Sequence, residues 1–157
     1  MANLEPLIQS IPVAPLKLAS LEGCRTLADQ VNNYLVSFRH ESPTNVGQAD
    51  SLQGYCADSY LLECECPRFG SGEGKGVLKE SVRGCDFFIM VDVTNYSLTY
   101  RVNGYENHMS PDNHYQDLKR IISAADGKAR RINVIMPFLY EGRQHKRSKR
   151  ESLDCAL

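Results

Sequence analysis

The chain of 157 residues carries 18 Lys plus Arg against 19 Asp plus Glu, a net charge of -1. That length suits one hydrophobic core and one domain, and the charge balance excludes attraction of the whole surface to nucleic acid or an anionic membrane, so any anion site must be local. No apolar run approaches the roughly 20 residues of a membrane span, and the opening MANLEPLIQSIPVAPL has Glu5 and no early Lys or Arg, unlike a signal peptide.

In chain order, residues 1–14 read as a tail and PLKLAS (15–20) as a first strand. Ser20 then offers an N-cap, and Leu21, Cys24, Ala28, Val31, Leu35 and Phe38 recur at helical spacing. The polar stretch 39–55, with Pro43, Gly47 and Gly54, predicts a long loop. Residues 58–69 and 76–82 read as strands, and DFFIMVDV (86–93) is a continuous apolar run suited to a buried strand. Asn103-Gly104 within the alternating 96–108 predicts a hairpin. Ser110, Pro111 and Asp112 then open a helix whose stripe is Leu118, Ile121, Ile122 and Ala125, with Gly127 as its stop. RINVIMPF (131–138) predicts a second buried strand. This alternation predicts an α/β domain with a largely parallel sheet flanked by helices, in which ligands gather beyond the carboxyl ends of the strands.

Between the middle strands lies RFGSGEGKG (68–76), with four glycines and a lysine in nine residues. It is not a P-loop, because Phe69 stands five before Gly74 and Gly76 follows Lys75 where Ser or Thr is required. It is not a dinucleotide fingerprint either, because Lys75 occupies the third glycine position. Cys24, Cys56, Cys64, Cys66, Cys85 and Cys155 are too scattered for a zinc pattern and read as reduced thiols of a cytosolic protein. After the last strand, residues 143–150 hold five Lys or Arg, interrupted by Gln144 and His145. Such a run can be a solvated face, a nucleic-acid patch or a clamp for a polyphosphate, since Arg grips phosphate bidentately and Gln can both donate and accept.

Three blocks together, RFGSGE, ESVRGCDFFIM and LKRIISAADGKARRINVIMPFLYEGRQ, resemble the amino-terminal half of phosphoribosyl pyrophosphate synthetase (ribose-phosphate diphosphokinase). That family typically reads R-F-S-D-G-E, then E-S-V-R-G-x-D-V-F-I, then a helix and strand ending in Y-A-R-Q. The resemblance spans Pro15 to Leu157 apart from insertions at 39–55 and 95–110. It implies a type I phosphoribosyltransferase-like domain over 15–157 with a β-hairpin insertion, half of a two-domain cytoplasmic enzyme and a homo-oligomer. The implied activity passes diphosphate from Mg-ATP to ribose 5-phosphate.

By that resemblance the glycine-rich turn is part of an adenine pocket, with Phe69 stacking on the base and Ser71, Gly72 and Glu73 meeting its edge. Arg143 and Gln144 of a neighbouring copy would close on the same ATP, and Ser81 and Arg83 would hold a regulatory anion. Ser71 departs from the family's Asp or Asn, and His145 from its Asp. The family's later parts, among them the acidic D-D-x-x-D-T-x-G-T loop, do not occur, and no two aspartates are adjacent. The expectation is therefore an ATP-binding half with no catalytic residues of its own and Mg2+ ligands beyond residue 157, inactive alone, binding neither nucleic acid nor membrane. A non-catalytic regulatory paralogue of the same family is the alternative.

Overall fold

The computed structural model describes residues 12–41, 54–143 and 146–152. Four parallel strands form the central sheet: β1 (Leu16–Ser20), β2 (Leu61–Leu62), β5 (Asp86–Met90) and β8 (Arg131–Ile135), in the order β2-β1-β5-β8. Helix α1 (Arg25–Glu41), entered through a 3-10 turn (Glu22–Cys24), crosses from β1 to β2; helix α2 (Pro111–Ala124) crosses from β5 to β8. Two crossovers leaving the middle of the sheet in opposite directions, each right-handed, must use opposite faces.

The core divides accordingly. Ala19, Phe87, Ile89 and Val91 pack with Leu118 and Ile121 of α2 and with Ala125 at its C-cap, whereas Leu18 and Met90 pack with Cys24 and Ala28 on the α1 side. Leu18 and Ala19, like Ile89 and Met90, are neighbours in sequence and point to opposite faces, as a period of two demands. Phe87, Ile89, Val91 and Ile121 are 0% exposed, and each contributes about 1.5–3 kcal/mol by leaving water.

Two small antiparallel units stand beside the sheet: β3 (Cys64–Glu65) with β4 (Val77–Leu78), and a hairpin of β6 (Thr99–Val102) and β7 (Tyr105–His108). The hairpin turns at Asn103 and Gly104, with φ 51° and 84°, the left-handed pair that a two-residue I′ turn requires. α2 begins as its sequence predicts, the Ser110 side chain accepting from the Asn113 N–H with Pro111 in the first turn. No helix of the described residues is long and apolar enough to cross a membrane.

Several expectations are corrected. Ser20 does not cap α1: it ends β1, its hydroxyl donates to the Leu21 carbonyl, and the helix enters instead through the uncapped 3-10 turn. The predicted loop begins later, since α1 runs through Glu41; residues 42–53 lie outside the described residues. The predicted strand 58–69 breaks at Glu63, β2 joining the parallel sheet and β3 leaving it to pair with β4. The strand expected over 76–82 shrinks to Val77–Leu78. Among the described residues the last strand is an edge and not buried: Val134 and Ile135 are 41% and 39% exposed, while Ile132 and Met136 pack against the core on the α2 side.

Candidate functional site

The glycine-rich stretch closes on itself as a tight turn beyond β3. The Phe69 N–H donates to the Glu73 carbonyl at 2.7 Å and the Gly72 N–H to the Phe69 carbonyl at 2.9 Å, with Arg68 and Gly74 bridged opposite each other. Gly72 supplies φ 92°, which side-chain-bearing residues rarely adopt. Gly76 is required for closeness: a Cβ there would stand 2.4 Å from the Arg120 carbonyl oxygen of α2. The tip is presented outward. Phe69 is 56% exposed, and Ser71 and Glu73 are exposed with the serine hydroxyl 3.3 Å from the Glu73 carboxylate.

What holds the turn was not legible as a site residue. Arg68 forks onto Asp117 of α2 at 2.6 and 2.7 Å, its guanidinium also lying 5.2 Å from the Tyr100 ring centre. Asp117 takes Arg120 on the same oxygen at 2.6 Å. The Arg68 and Asp117 side chains are 8% and 7% exposed, so this is a buried, bidentate pair of the strong kind.

α2 also anchors the basic segment. Tyr140, in the turn after β8, stacks on Tyr115 with ring centres 4.3 Å apart and donates its hydroxyl to Asp112. That hydrogen bond, first, together with burial raises the tyrosine pKa far above its ordinary value. Arg143 follows three residues later and is exposed, while Gln144 and His145 lie outside the described residues. Lys146 through Arg150 are exposed. The Ser148 N–H donates to the Glu151 carboxylate at 3.1 Å; that backbone hydrogen bond holds its carboxyl below the usual range. Asp112 and Tyr115 carried no sequence signal as anchors, since an acid in a first helical turn is ordinary.

Ser81 and Arg83 are both exposed, in the connection between β4 and β5, with the Arg83 N–H donating to the Ser81 hydroxyl at 3.3 Å. Ser81 lines a cleft of about 440 Å³ together with Lys75 and Lys128. A salt-bridged Lys128, with a lesser share from Arg83, holds the Asp126 carboxyl below its usual range. Glu80 also lines this cleft, Arg83 does not, and Lys128 is paired with Asp126 at 2.6 Å, so the structure does not bring Ser81 and Arg83 together in one cationic concavity.

Beyond the carboxyl end of β1, a cleft of about 520 Å³ runs between the 3-10 turn and the hairpin, lined among others by Arg25, Cys64, Cys66 and His114. Burial keeps its thiols in the protonated form, and the thiolate is the nucleophile. Burial first pushes Cys64 up to about 11, and burial together with the Asp117 charge pushes Cys66 up to about 12. The two thiols donate to different carbonyls, Cys64 to Ser20 and Cys66 to Asp117. Among the described residues no group of three His, Cys, Asp or Glu could hold a metal ion.

The N-terminal domain of ribose phosphate pyrophosphokinase, as a family model, matches residues 16–157. A phosphoribosylpyrophosphate synthetase from Mycobacterium smegmatis is similar in fold, with a TM-score of 0.52 and 23% identity over 89% of this chain. The chain spans 36% of that protein's length. No match to a curated protein reaches significance.

Proposed function

The chain belongs to the family of N-terminal domains of ribose phosphate pyrophosphokinase, and on that premise we propose that it supplies the nucleotide-binding part of a ribose-phosphate diphosphokinase. The reaction moves the β,γ-diphosphoryl group of Mg-ATP to the 1-hydroxyl of ribose 5-phosphate: the 1-oxygen attacks the β-phosphorus, the α,β-bridging bond breaks, and AMP leaves. Such a transfer depends on positioning and charge neutralisation more than on covalent help from the protein. In this reading magnesium arrives with ATP as part of the substrate.

The observation that carries the proposal is the placement of Phe69. An aromatic ring 56% exposed at the tip of a turn clamped by a buried ion pair is a stacking platform: apolar surface left in water on a rigid mount. Stacking a base on such a ring contributes about 1–3 kcal/mol. Ser71 and Glu73 stand beside it to meet the base edge, one hydroxyl and one carboxylate. Arg143 and Gln144 of a neighbouring copy would contact the same nucleotide, the guanidinium near its base or phosphates and the amide as a neutral donor and acceptor, so in this reading the site is completed by an oligomer. By the family resemblance alone, Ser81 and Arg83 would hold a separate regulatory anion.

A second reading, a non-catalytic member of the family that associates with the active enzyme, is favoured by Ser71. Its hydroxyl is turned to Glu73 at the position where the family's Asp or Asn would meet the base. Calorimetric titration of the chain with ATP and with ribose 5-phosphate tests the main reading. Weak ATP binding that disappears in Phe69→Ala, without binding of ribose 5-phosphate, is the expected result. Tight ribose 5-phosphate binding, or ATP binding indifferent to Phe69→Ala, overturns it.

A further inference from the structure

The hairpin of β6 and β7 lies in an insertion outside the three family-like blocks, yet it stands against the turn that carries Phe69. Its pairing register sets Val102 opposite Tyr105 and Tyr100 opposite Asn107, and cross-strand partners share a face. All four of these side chains line one open cleft of about 540 Å³ whose other wall is Ser71 and Gly72. The alternate positions belong to the opposite face, where Thr99 donates to the Glu106 carboxylate at 2.7 Å. Contact between hairpin and turn is close: a Cβ on Gly72 would lie 3.2 Å from Val102 Cγ2.

The two walls are also fastened to the same support. Arg68, which pins the turn to α2, has its guanidinium over the Tyr100 ring. At the base of the hairpin the Met109 N–H donates to the Leu98 carbonyl at 2.9 Å, and buried His114 of α2 donates from Nε2 to the Asn95 carbonyl at 2.8 Å. The cleft is therefore held open by a fixed frame, and its volume lies in the range of small-molecule sites. Tyr105 is 76% exposed, a second aromatic ring left in water on the same side of the molecule as the Ser71–Gly72 wall. The Asn107 amide donates one N–H to the Tyr105 carbonyl at 3.2 Å, which leaves its second N–H and its oxygen as the donor and acceptor pair a nucleobase edge requires.

We propose that this hairpin is a base-recognition arm: Tyr105 stacks on the purine or its ribose, and Asn107 reads the base edge, opposite Ser71 and Gly72. The assignment rests on the nucleotide-binding reading above and adds to it a specificity element encoded in the insertion. Tyr100 and Val102 form the floor and do not contact the base edge.

Backbone NMR of the isotopically labelled chain, titrated with ATP, with adenosine and with ribose 5-phosphate, tests the assignment at millimolar affinity. ATP should shift both the 69–73 turn and the amides of Tyr105 and Asn107, and adenosine, which lacks phosphate, should shift the hairpin as well. Tyr105→Ala should weaken ATP binding about fivefold or more, while Tyr105→Phe, which keeps the ring, should stay within about twofold of the parent. Shifts confined to the 69–73 turn, with ATP affinity unchanged in Tyr105→Ala, would remove the hairpin from the site and leave the nucleotide reading standing. A silent titration with ATP and adenosine alike would remove both. Hairpin shifts that ribose 5-phosphate alone reproduces would also overturn the assignment, since they would not come from a base.

Discussion

Arg68 and Asp117 face one another across the junction of the glycine-rich turn and α2, joined by two hydrogen bonds of 2.6 and 2.7 Å with both side chains less than a tenth exposed. Breaking such a pair from one side leaves a buried charge uncompensated, at about 3–5 kcal/mol. Asp117→Ala strands two guanidiniums, since Arg120 shares the same carboxylate. Denaturant titration should show that loss. Arg68→Lys keeps the charge but not the fork, and should lose less.

Glycine positions in the turn should separate cleanly. Gly76→Ala places a methyl within 2.4 Å of a helix carbonyl, and overpacking against backbone costs about 1–3 kcal/mol or more. A Cβ on Gly70 meets nothing within 4 Å, so Gly70→Ala should change stability by no more than about 0.5 kcal/mol. Thermal melts of the two variants, run side by side, check the contrast. Equal effects would mean that the approach of Arg120 is not rigid.

Alkaline pH should destabilise the domain through its thiols. Burial raises Cys24 and Cys64 to about 11 and Cys66 to about 12, from an ordinary value of 9.0. Folded-state values above the unfolded one mean that the folded chain holds more protons, so stability falls as pH rises. The contribution is complete below about pH 9 and is lost between there and the folded values. Urea midpoints measured at pH 8, 9, 10 and 11 should decline, and the decline should shrink in Cys66→Ala. At pH 8 a thiol reagent should modify exposed Cys56 well before Cys64.

Ser110 closes the front of α2, accepting from the Asn113 N–H at 3.2 Å. Ser110→Ala should cost about 1 kcal/mol, read as a lowered denaturation midpoint. Because α2 supports Arg68 and Tyr140 alike, hydrogen exchange should quicken at both the Phe69 and the Tyr140 amides in that variant.

Local signals carried the fold where they were strong. Asn103-Gly104 placed the hairpin, Ser110-Pro111 placed the start of α2, and the apolar run at 86–90 placed the central strand, because each rests on backbone preferences or burial that no partner can reverse. Boundaries failed where tertiary pairing decides them. The break at Glu63 follows from β3 finding an antiparallel partner at Val77–Leu78, which periodicity cannot reveal. Asn32 was hidden for the same reason: its side chain, buried in α1, accepts from the Tyr60 N–H at 2.8 Å, a contact 28 residues away in sequence. The candidate site was half visible. Phe69 stood out by its glycine setting and the family-like block, whereas Asp117 lay unremarked in a helical stripe. The alliance of the hairpin with the turn depends on register and packing, and nothing in 96–108 taken alone announces it.

β8 has a wider consequence. Within the described residues its only sheet partner is β5, so one row of its peptide groups faces outward beside Val134, Ile135, Phe138 and Leu139, all exposed. Such a flank is adhesive, and a net charge of -1 supplies almost no colloidal repulsion to keep copies apart. Light scattering over rising concentration should therefore report reversible self-association well below the melting temperature, and a lysine in place of Ile135 should suppress it.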